Sequence, residues 1–173
     1  DMSGPYRDTG GPTSVAMVKL AAAEFASKGF TVEVINADHQ NKPDVGASIA
    51  RQWYDRDGGD LIIDVPTSSV ALALSTLMTE KNKIFMNSGA GSSDLTGKAC
   101  SPIFVHYTYD TYALSNVAGK AMVKRGEDTW FFVTADYAFG HALERDAANV
   151  VKENGGKVLG DVKHPLNSSD FSS

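Results

Sequence analysis

Apolar positions along the chain switch repeatedly between the spacing of a helix and the spacing of a strand. Between Val15 and Phe25 they recur with helical spacing, which predicts a helix over 13–28. Phe30, Val32 and Val34 then alternate with polar residues, which predicts a strand. The alternation continues, with helices expected at 43–56, 70–81, 112–125 and 138–153 and strands at 61–65, 84–86, 103–107, 130–133 and 157–162. This order is typical of a parallel α/β sheet.

Both ends of this pattern look incomplete. The first helix has no strand before it, although residues 4–12 are of the turn-forming kind that follows a strand. At the other end, residues 167–171 resemble a loop and helix cap with no helix after them. Because a doubly wound sheet normally has its first strand near the middle, we expect a missing central strand and an internal piece of a longer protein.

Two loops rich in small hydroxyl residues and glycine follow neighbouring predicted strands. Residues 66–69 follow the strand at 61–65, and residues 87–93 follow the strand at 84–86. Such loops offer backbone N–H groups, hydroxyl donors and the positive end of a helix dipole. Open α/β sheets bind ligands at the carboxyl ends of their strands, so the two loops predict a site for a carboxylate or phosphate. The alternative is that the hydroxyls, Ser69 above all, only cap a helix and that the second loop is a plain turn.

Composition and charge exclude several classes of protein. Apolar residues make up 42% of the chain and charged residues 21%, which is ordinary for a folded protein. Sixteen basic and 21 acidic residues give a net charge of -5, and the scattered basic residues argue against nucleic-acid binding. No stretch reads as a membrane span, residues 1–4 do not open a signal peptide, and a lone cysteine, Cys100, cannot form an internal disulfide.

Catalytic and metal-binding patterns are weak. A P-loop fails because the stretch from Gly91 to Lys98 is one residue too long and Ala99 stands in the hydroxyl position. A serine hydrolase elbow fails because residues 86–90 lack both flanking glycines. Asp136 with His141 and Glu144 fits solvated charges at a helix start better than an acid–base cluster, and His39, His106, His141 and His164 show no metal-ligand spacing. We therefore expect no enzyme activity, no cofactor and no metal.

Four motifs, in order and at fitting separations, carry a resemblance over essentially the whole chain. They are GPYRDTGG at 4–11, DVPTSS at 64–69, NSGAGSSDLT at 87–96 and ADYAFG at 135–140. Together they resemble the type I periplasmic solute-binding proteins of ABC importers, in the Leu/Ile/Val-binding (branched-chain amino acid) group.

The resemblance implies an α/β fold with doubly wound parallel sheets in two lobes that close over one ligand. Residues 1–108 would form the first lobe, lacking its first strand, and residues 109–173 the truncated beginning of the second, with a crossing near 107–110. The implied function is a monomeric periplasmic receptor that captures a small carboxylate-bearing solute and delivers it to a membrane ABC permease. The solute would be a branched-chain or other amino acid, or an aromatic acid. The alternative is a ligand-sensing domain of the same fold, either an amide sensor or a receptor ectodomain.

The resemblance also implies which residues meet the ligand. Gly91 stands where a branched-chain amino acid binder has threonine, so a hydroxyl would have to come from Ser92. Of Tyr137 and Phe139, at the start of the helix predicted over 138–153, we expect one to touch the ligand and the other to pack against that helix. Tyr107, Tyr109 and Tyr112 pack at the hinge or form a stacking surface. The implied ligand-binding residues are Tyr6, Thr67, Ser68, Ser69, Gly89, Ala90, Gly91, Ser92, Tyr137 and Phe139.

Overall fold

Helices and parallel strands alternate in the computed structural model, which describes residues 1–25 and 29–171. Their order follows the predicted one from the second helix onward. The helices are α1 Pro12–Phe25, α2 Pro43–Asp55, α3 Ser68–Lys81, α4 Thr111–Lys124 and α5 Ala138–Glu153. The strands are β1 Leu61–Ile63, β2 Ile84–Asn87, β3 Phe104–His106, β4 Thr129–Ala135 and β5 Lys157–His164, with a short 3₁₀ turn at Ser93–Leu95.

The strands form two separate parallel sheets. The first has the order β1-β2-β3, with Ile62 opposite Phe85 and Phe85 opposite Phe104. The second pairs β4 with β5. Residues 107–110 connect β3 to α4, which packs with α5 beside the second sheet. The carboxyl ends of β1, β2 and β3 therefore face the connection to the second sheet.

Helices α2 and α3 cover one face of the first sheet and form its core with it. Phe85 is fully buried, and its ring meets that of Phe104 edge-on at a centroid distance of 5.0 Å. The two helices approach closely at Gly46, where a Cβ atom would lie 2.6 Å from Cγ1 of Val70. The core consists of Ala50, Ile62, Val65, Val70, Ala71, Leu74, Leu77, Met78, Phe85, Ala90 and Leu95.

The predicted strand at Phe30, Val32 and Val34 is wrong. No described strand lies beside this segment, and since a strand is defined by its ladder of hydrogen bonds, an alternating pattern alone does not make one. Phe30 is 58% exposed. Helix α1 also lacks the buried face that its pattern predicted, since none of its residues is buried. The end of that predicted helix, residues 26–28, lies outside the described residues.

Two predicted strands are shorter than expected. Strand β1 ends at Ile63 because Asp64 takes a positive φ of 56°, which turns the chain out of the extended conformation. Strand β3 covers 104–106 rather than 103–107. Within the described ranges, no helix is both long enough and apolar enough to cross a membrane.

Candidate functional site

The two glycine- and hydroxyl-rich loops lie side by side at the carboxyl ends of β1 and β2. The carboxylate of Asp64 accepts a hydrogen bond from Oγ of Ser88 at 2.9 Å, which joins the loops at their bases. At Gly89 a Cβ atom would lie 2.8 Å from Cα of Pro66, so only glycine permits this approach. The parallel order of β1 and β2 thus brings together the loops that the sequence predicted to meet.

Polar side chains at the strand ends fix the second loop from below. Oδ1 of Asn87 accepts hydrogen bonds from the N–H groups of Gly89 and Ala90, at 3.2 and 2.8 Å. Nδ2 of Asn87 donates to the carbonyl of Val65 at 2.8 Å. Nε2 of His106, at the end of β3, donates to the carbonyl of Ala90 at 2.6 Å. These roles of Asn87 and His106 were not predicted, although both are polar residues at strand ends.

Several further backbone groups of the second loop are paired with other parts of the chain. The carbonyl of Gly91 accepts from the N–H of Thr111 at 2.8 Å, and the N–H of Ser92 donates to Oγ of Ser68 at 3.2 Å. Gly91 is buried, yet its own N–H donates to no acceptor in the part of the chain that the structure describes. Because buried N–H groups are almost always paired, this donor calls for an acceptor supplied by another molecule or segment.

Two aromatic rings close around Gly91. A Cβ atom at this residue would lie 2.8 Å from Cε2 of Tyr109 and 3.1 Å from Cε2 of Phe139. Tyr109 lies in the connection between the sheets, and Phe139 in the first turn of α5. The absence of a side chain at Gly91 is therefore what lets the rings approach the loop backbone. Ser92, the residue expected to supply a hydroxyl instead, is buried, and its Oγ accepts a hydrogen bond from the N–H of Asp94 at 3.3 Å.

The three hydroxyl residues of the first loop have different partners. Thr67 is buried and donates its hydroxyl to Oδ1 of Asn41, so it does not cap α3. Oγ of Ser68 accepts a hydrogen bond from the N–H of Ser92. Oγ of Ser69 accepts the N–H of Ala138, at the start of α5, at 3.0 Å. The hydroxyls thus hold the site together, while the first N–H groups of α3 have no partner within their own helix.

The N-termini of α3 and α5 meet at Ser69, so the positive ends of two helix dipoles converge there. Neither residues 64–69 nor residues 87–93 contain Lys or Arg. Any anion held at this point would therefore be neutralised by N–H groups, hydroxyls and dipoles rather than by a basic side chain.

Tyr6 and Tyr137 meet across the two halves of the chain. Their hydroxyl oxygens lie 2.6 Å apart, and the ring of Tyr137 lies 6.1 Å from that of Phe139. Burial, followed by the hydrogen bond with Tyr6, raises the pKa of Tyr137 above its ordinary value. The carboxylate of Asp1 orients the turn that carries Tyr6 by accepting its N–H at 2.9 Å.

Two of the three charges considered as an acid–base cluster, His141 and Asp136, lie at the surface, whereas Oε2 of Glu144 is buried and has no hydrogen-bond partner among the described residues. His141 and Asp136 form an exposed pair with Nε2 and Oδ1 2.7 Å apart. Among residues 1–25 and 29–171, no group of three or more His, Cys, Asp or Glu side chains could hold a metal ion. The site assembled here is thus one of hydrogen-bond donors, small residues and aromatic rings.

The chain resembles known proteins in both sequence and fold. A family model described as periplasmic binding protein matches residues 1–173. The chain is 52% identical to a periplasmic binding protein from Burkholderia mallei, with a TM-score of 0.95, covering 99% of this chain and 46% of the other. It is 35% identical, with a TM-score of 0.78 and the same coverage, to a branched-chain amino acid ABC transporter periplasmic ligand-binding protein from Burkholderia xenovorans LB400.

A third solved structure is a solute-binding protein of an ABC transporter from Rhodopseudomonas palustris BisB5, in complex with 3,4-dihydroxybenzoic acid. It is 26% identical, with a TM-score of 0.84, and the match covers 98% of this chain and 47% of the other. The chain thus spans about half the length of each of these proteins.

Proposed function

Because the chain belongs to the periplasmic binding protein family, we propose that it forms part of an extracytoplasmic receptor that hands a small carboxylate-bearing solute to the membrane permease of an ABC transporter. Residues 1–108 would supply most of the first lobe and residues 109–173 the beginning of the second. The receptor would act without catalysis, by closing its lobes over the solute. Ligand contacts made by both lobes would favour the closed form.

The observation that carries this proposal is the buried N–H of Gly91, which has no partner among the described residues and lies beside the converging N-termini of α3 and α5. A carboxylate suits this place because its oxygens accept several hydrogen bonds and its charge is stabilised by both helix dipoles. In this arrangement Gly91 and the first N–H groups of α3 would bind the carboxylate. Ser68, Ser69, Gly89, Ala90 and Ser92 would shape the loops that present them, and Thr67 would act through Asn41.

The rings of Tyr109 and Phe139 favour an aromatic acid over an aliphatic amino acid. They lie against Gly91, where a larger residue would push them away from the loop. A flat ring whose carboxylate reaches Gly91 can stack or meet these rings edge-on. The solved structure from Rhodopseudomonas palustris BisB5, which is in complex with an aromatic acid, supports the same choice.

The test is a thermal-shift screen of the full-length protein. A ligand that binds only the folded form raises Tm, so we expect benzoate to raise it more than leucine. Two controls separate the parts of the argument: benzamide keeps the ring without the charge, and cyclohexanecarboxylate keeps the charge without the flat ring. Equal shifts with benzamide and benzoate would contradict the carboxylate site, and stabilisation by nucleotides alone would overturn the receptor.

A graded pair of variants tests the role of Gly91. Gly91→Ala adds one methyl group against Tyr109 and Phe139, and Gly91→Thr adds a branched side chain with a hydroxyl. We expect benzoate binding to fall from wild type to Gly91→Ala to Gly91→Thr, because the rings are displaced by increasing amounts. Unchanged benzoate affinity in Gly91→Thr, with the fold intact, would refute the aromatic-acid assignment.

A further inference from the structure

A buried carboxylate lies outside the candidate site, in the middle of α5. Asp146 is 8% exposed. Its Oδ2 accepts hydrogen bonds from Oγ of Ser93 at 2.6 Å and from Oγ1 of Thr111 at 2.7 Å. Its Oδ1 accepts from Nε of Arg145 at 3.0 Å. Burial by itself would raise the pKa of this carboxyl, but the three donors outweigh it and hold the pKa below its ordinary value.

The donors of this cluster come from both halves of the chain. Ser93 belongs to the short turn that continues the second loop, and Thr111 begins α4. Arg145, next to Asp146, also donates from Nη1 to Asp94 at 2.7 Å and from Nη2 to Ser93 at 2.8 Å. The carboxylate thus joins a helix of the second half to the loop of the first half.

A continuous line of hydrogen bonds leads from Asp146 to Gly91. Oγ1 of Thr111 donates to Asp146 and accepts the N–H of Ser93 at 3.0 Å. The backbone N–H of the same threonine donates to the carbonyl of Gly91 at 2.8 Å. One residue, Thr111, therefore links the carboxylate to the backbone of the loop on both sides of Ser92.

We propose that Asp146, acting through Thr111 and Ser93, is a positioning residue that sets how long bound solute is retained, by fixing the Gly91 loop against α5 without touching the solute. The inference rests on the proposed function for the meaning of retention, but the linkage itself is a property of the protein without ligand. A buried carboxylate paired in this way suits the role, because removing one donor weakens the stabilisation of the buried charge and loosens the cluster.

The experiment uses Thr111→Val and Thr111→Ser in the full-length protein. Valine keeps the shape of threonine and removes only the hydroxyl, whereas serine keeps the hydroxyl. Glu153→Gln, at the exposed end of the same α5, is the charge control. Hydrogen exchange of residues 88–94 is measured without ligand, and the dissociation and association rates of benzoate are measured by stopped flow.

In Thr111→Val we expect exchange at Ser93 and benzoate dissociation to be about tenfold faster, with the association rate within about twofold of wild type. Thr111→Ser and Glu153→Gln should match wild type. Unchanged exchange in Thr111→Val would overturn the inference whether or not benzoate binds. Equal effects of valine and serine would also overturn it, because the hydroxyl would then not matter. If the wild-type protein does not bind benzoate, the proposed aromatic-acid function is contradicted. The hydrogen-exchange result, which needs no ligand, would still decide whether the linkage fixes the loop.

Discussion

The hydrogen bond between the hydroxyls of Tyr6 and Tyr137 leads to a testable prediction about the lobe closure proposed above. These oxygens lie 2.6 Å apart, in residues 131 positions apart in the chain. Tyr6→Phe and Tyr137→Phe each remove one hydroxyl and keep the ring. Because the two hydroxyls bond to each other, each variant loses the same hydrogen bond.

The size of the effect follows from the geometry. A hydrogen bond between neutral groups contributes about 1 kcal/mol net, which corresponds to about fivefold in an equilibrium constant. Both side chains are only half-buried, so the hydroxyl left behind can be hydrated, and the larger penalty of a fully buried orphan does not apply. We therefore expect each single variant to weaken solute binding about fivefold, because the closed form loses this bond.

The assay is a double-mutant cycle, measured by calorimetry with the solute that gives the largest thermal shift. The double variant should bind about as tightly as either single variant, which corresponds to a coupling of about 1 kcal/mol. Tyr112→Phe is the matched control, since this side chain is 62% exposed, and we expect no change there.

Additive effects would refute the reasoning. If each hydroxyl contacted the solute independently, the double variant would weaken binding by the product of the single effects, about 25-fold if each costs about fivefold. A third outcome, unchanged affinity in all variants, would mean that the pair does not contribute to closure.

Two further predictions concern stability. Phe85→Ala should lower the free energy of unfolding by about 3–5 kcal/mol in urea titrations, because this ring is fully buried in the core, whereas Arg51→Ala on the exposed side of α2 should change it by less than about 0.5 kcal/mol. Asp146 has a pKa below that of the unfolded chain, so its stabilising contribution is present above the unfolded-state pKa and is lost as pH falls through the folded one. Asp146→Asn should therefore be less stable than wild type at neutral pH and should lose less stability than wild type on acidification. An equal loss of unfolding free energy in both proteins as pH falls would contradict this assignment.

The sequence predicted most of the secondary structure because helix and strand periodicities are local properties. The elements from α2 to β5 follow the predicted order, and the loops at 66–69 and 87–93 lie where parallel strands should put them. The strand prediction at Phe30 to Val34 was wrong because it also used only the local pattern. Alternation describes one strand, but a sheet needs a neighbour, and no described strand pairs with this segment.

The family was also within reach of the sequence, because four short motifs in order carry the resemblance and the family match covers residues 1–173. The partners of the individual side chains could not be predicted from the sequence. That Thr67 and the tyrosines meet the ligand stays a prediction. The structure adds that the hydroxyl of Thr67 donates to Asn41, 26 positions earlier, and that the hydroxyls of Tyr6 and Tyr137 contact each other.

By itself the sequence determined the alternating α/β order, the position of the two loops and the family. Only the tertiary structure decided that two rings approach Gly91, that its N–H has no partner within the described ranges, and that Asp146 accepts a hydrogen bond from Ser93 in the loop. The physical reason is the distance in sequence over which each property is determined. Backbone conformation and amphipathic spacing are set by near neighbours, whereas a hydrogen-bond partner is set by packing among residues far apart in sequence.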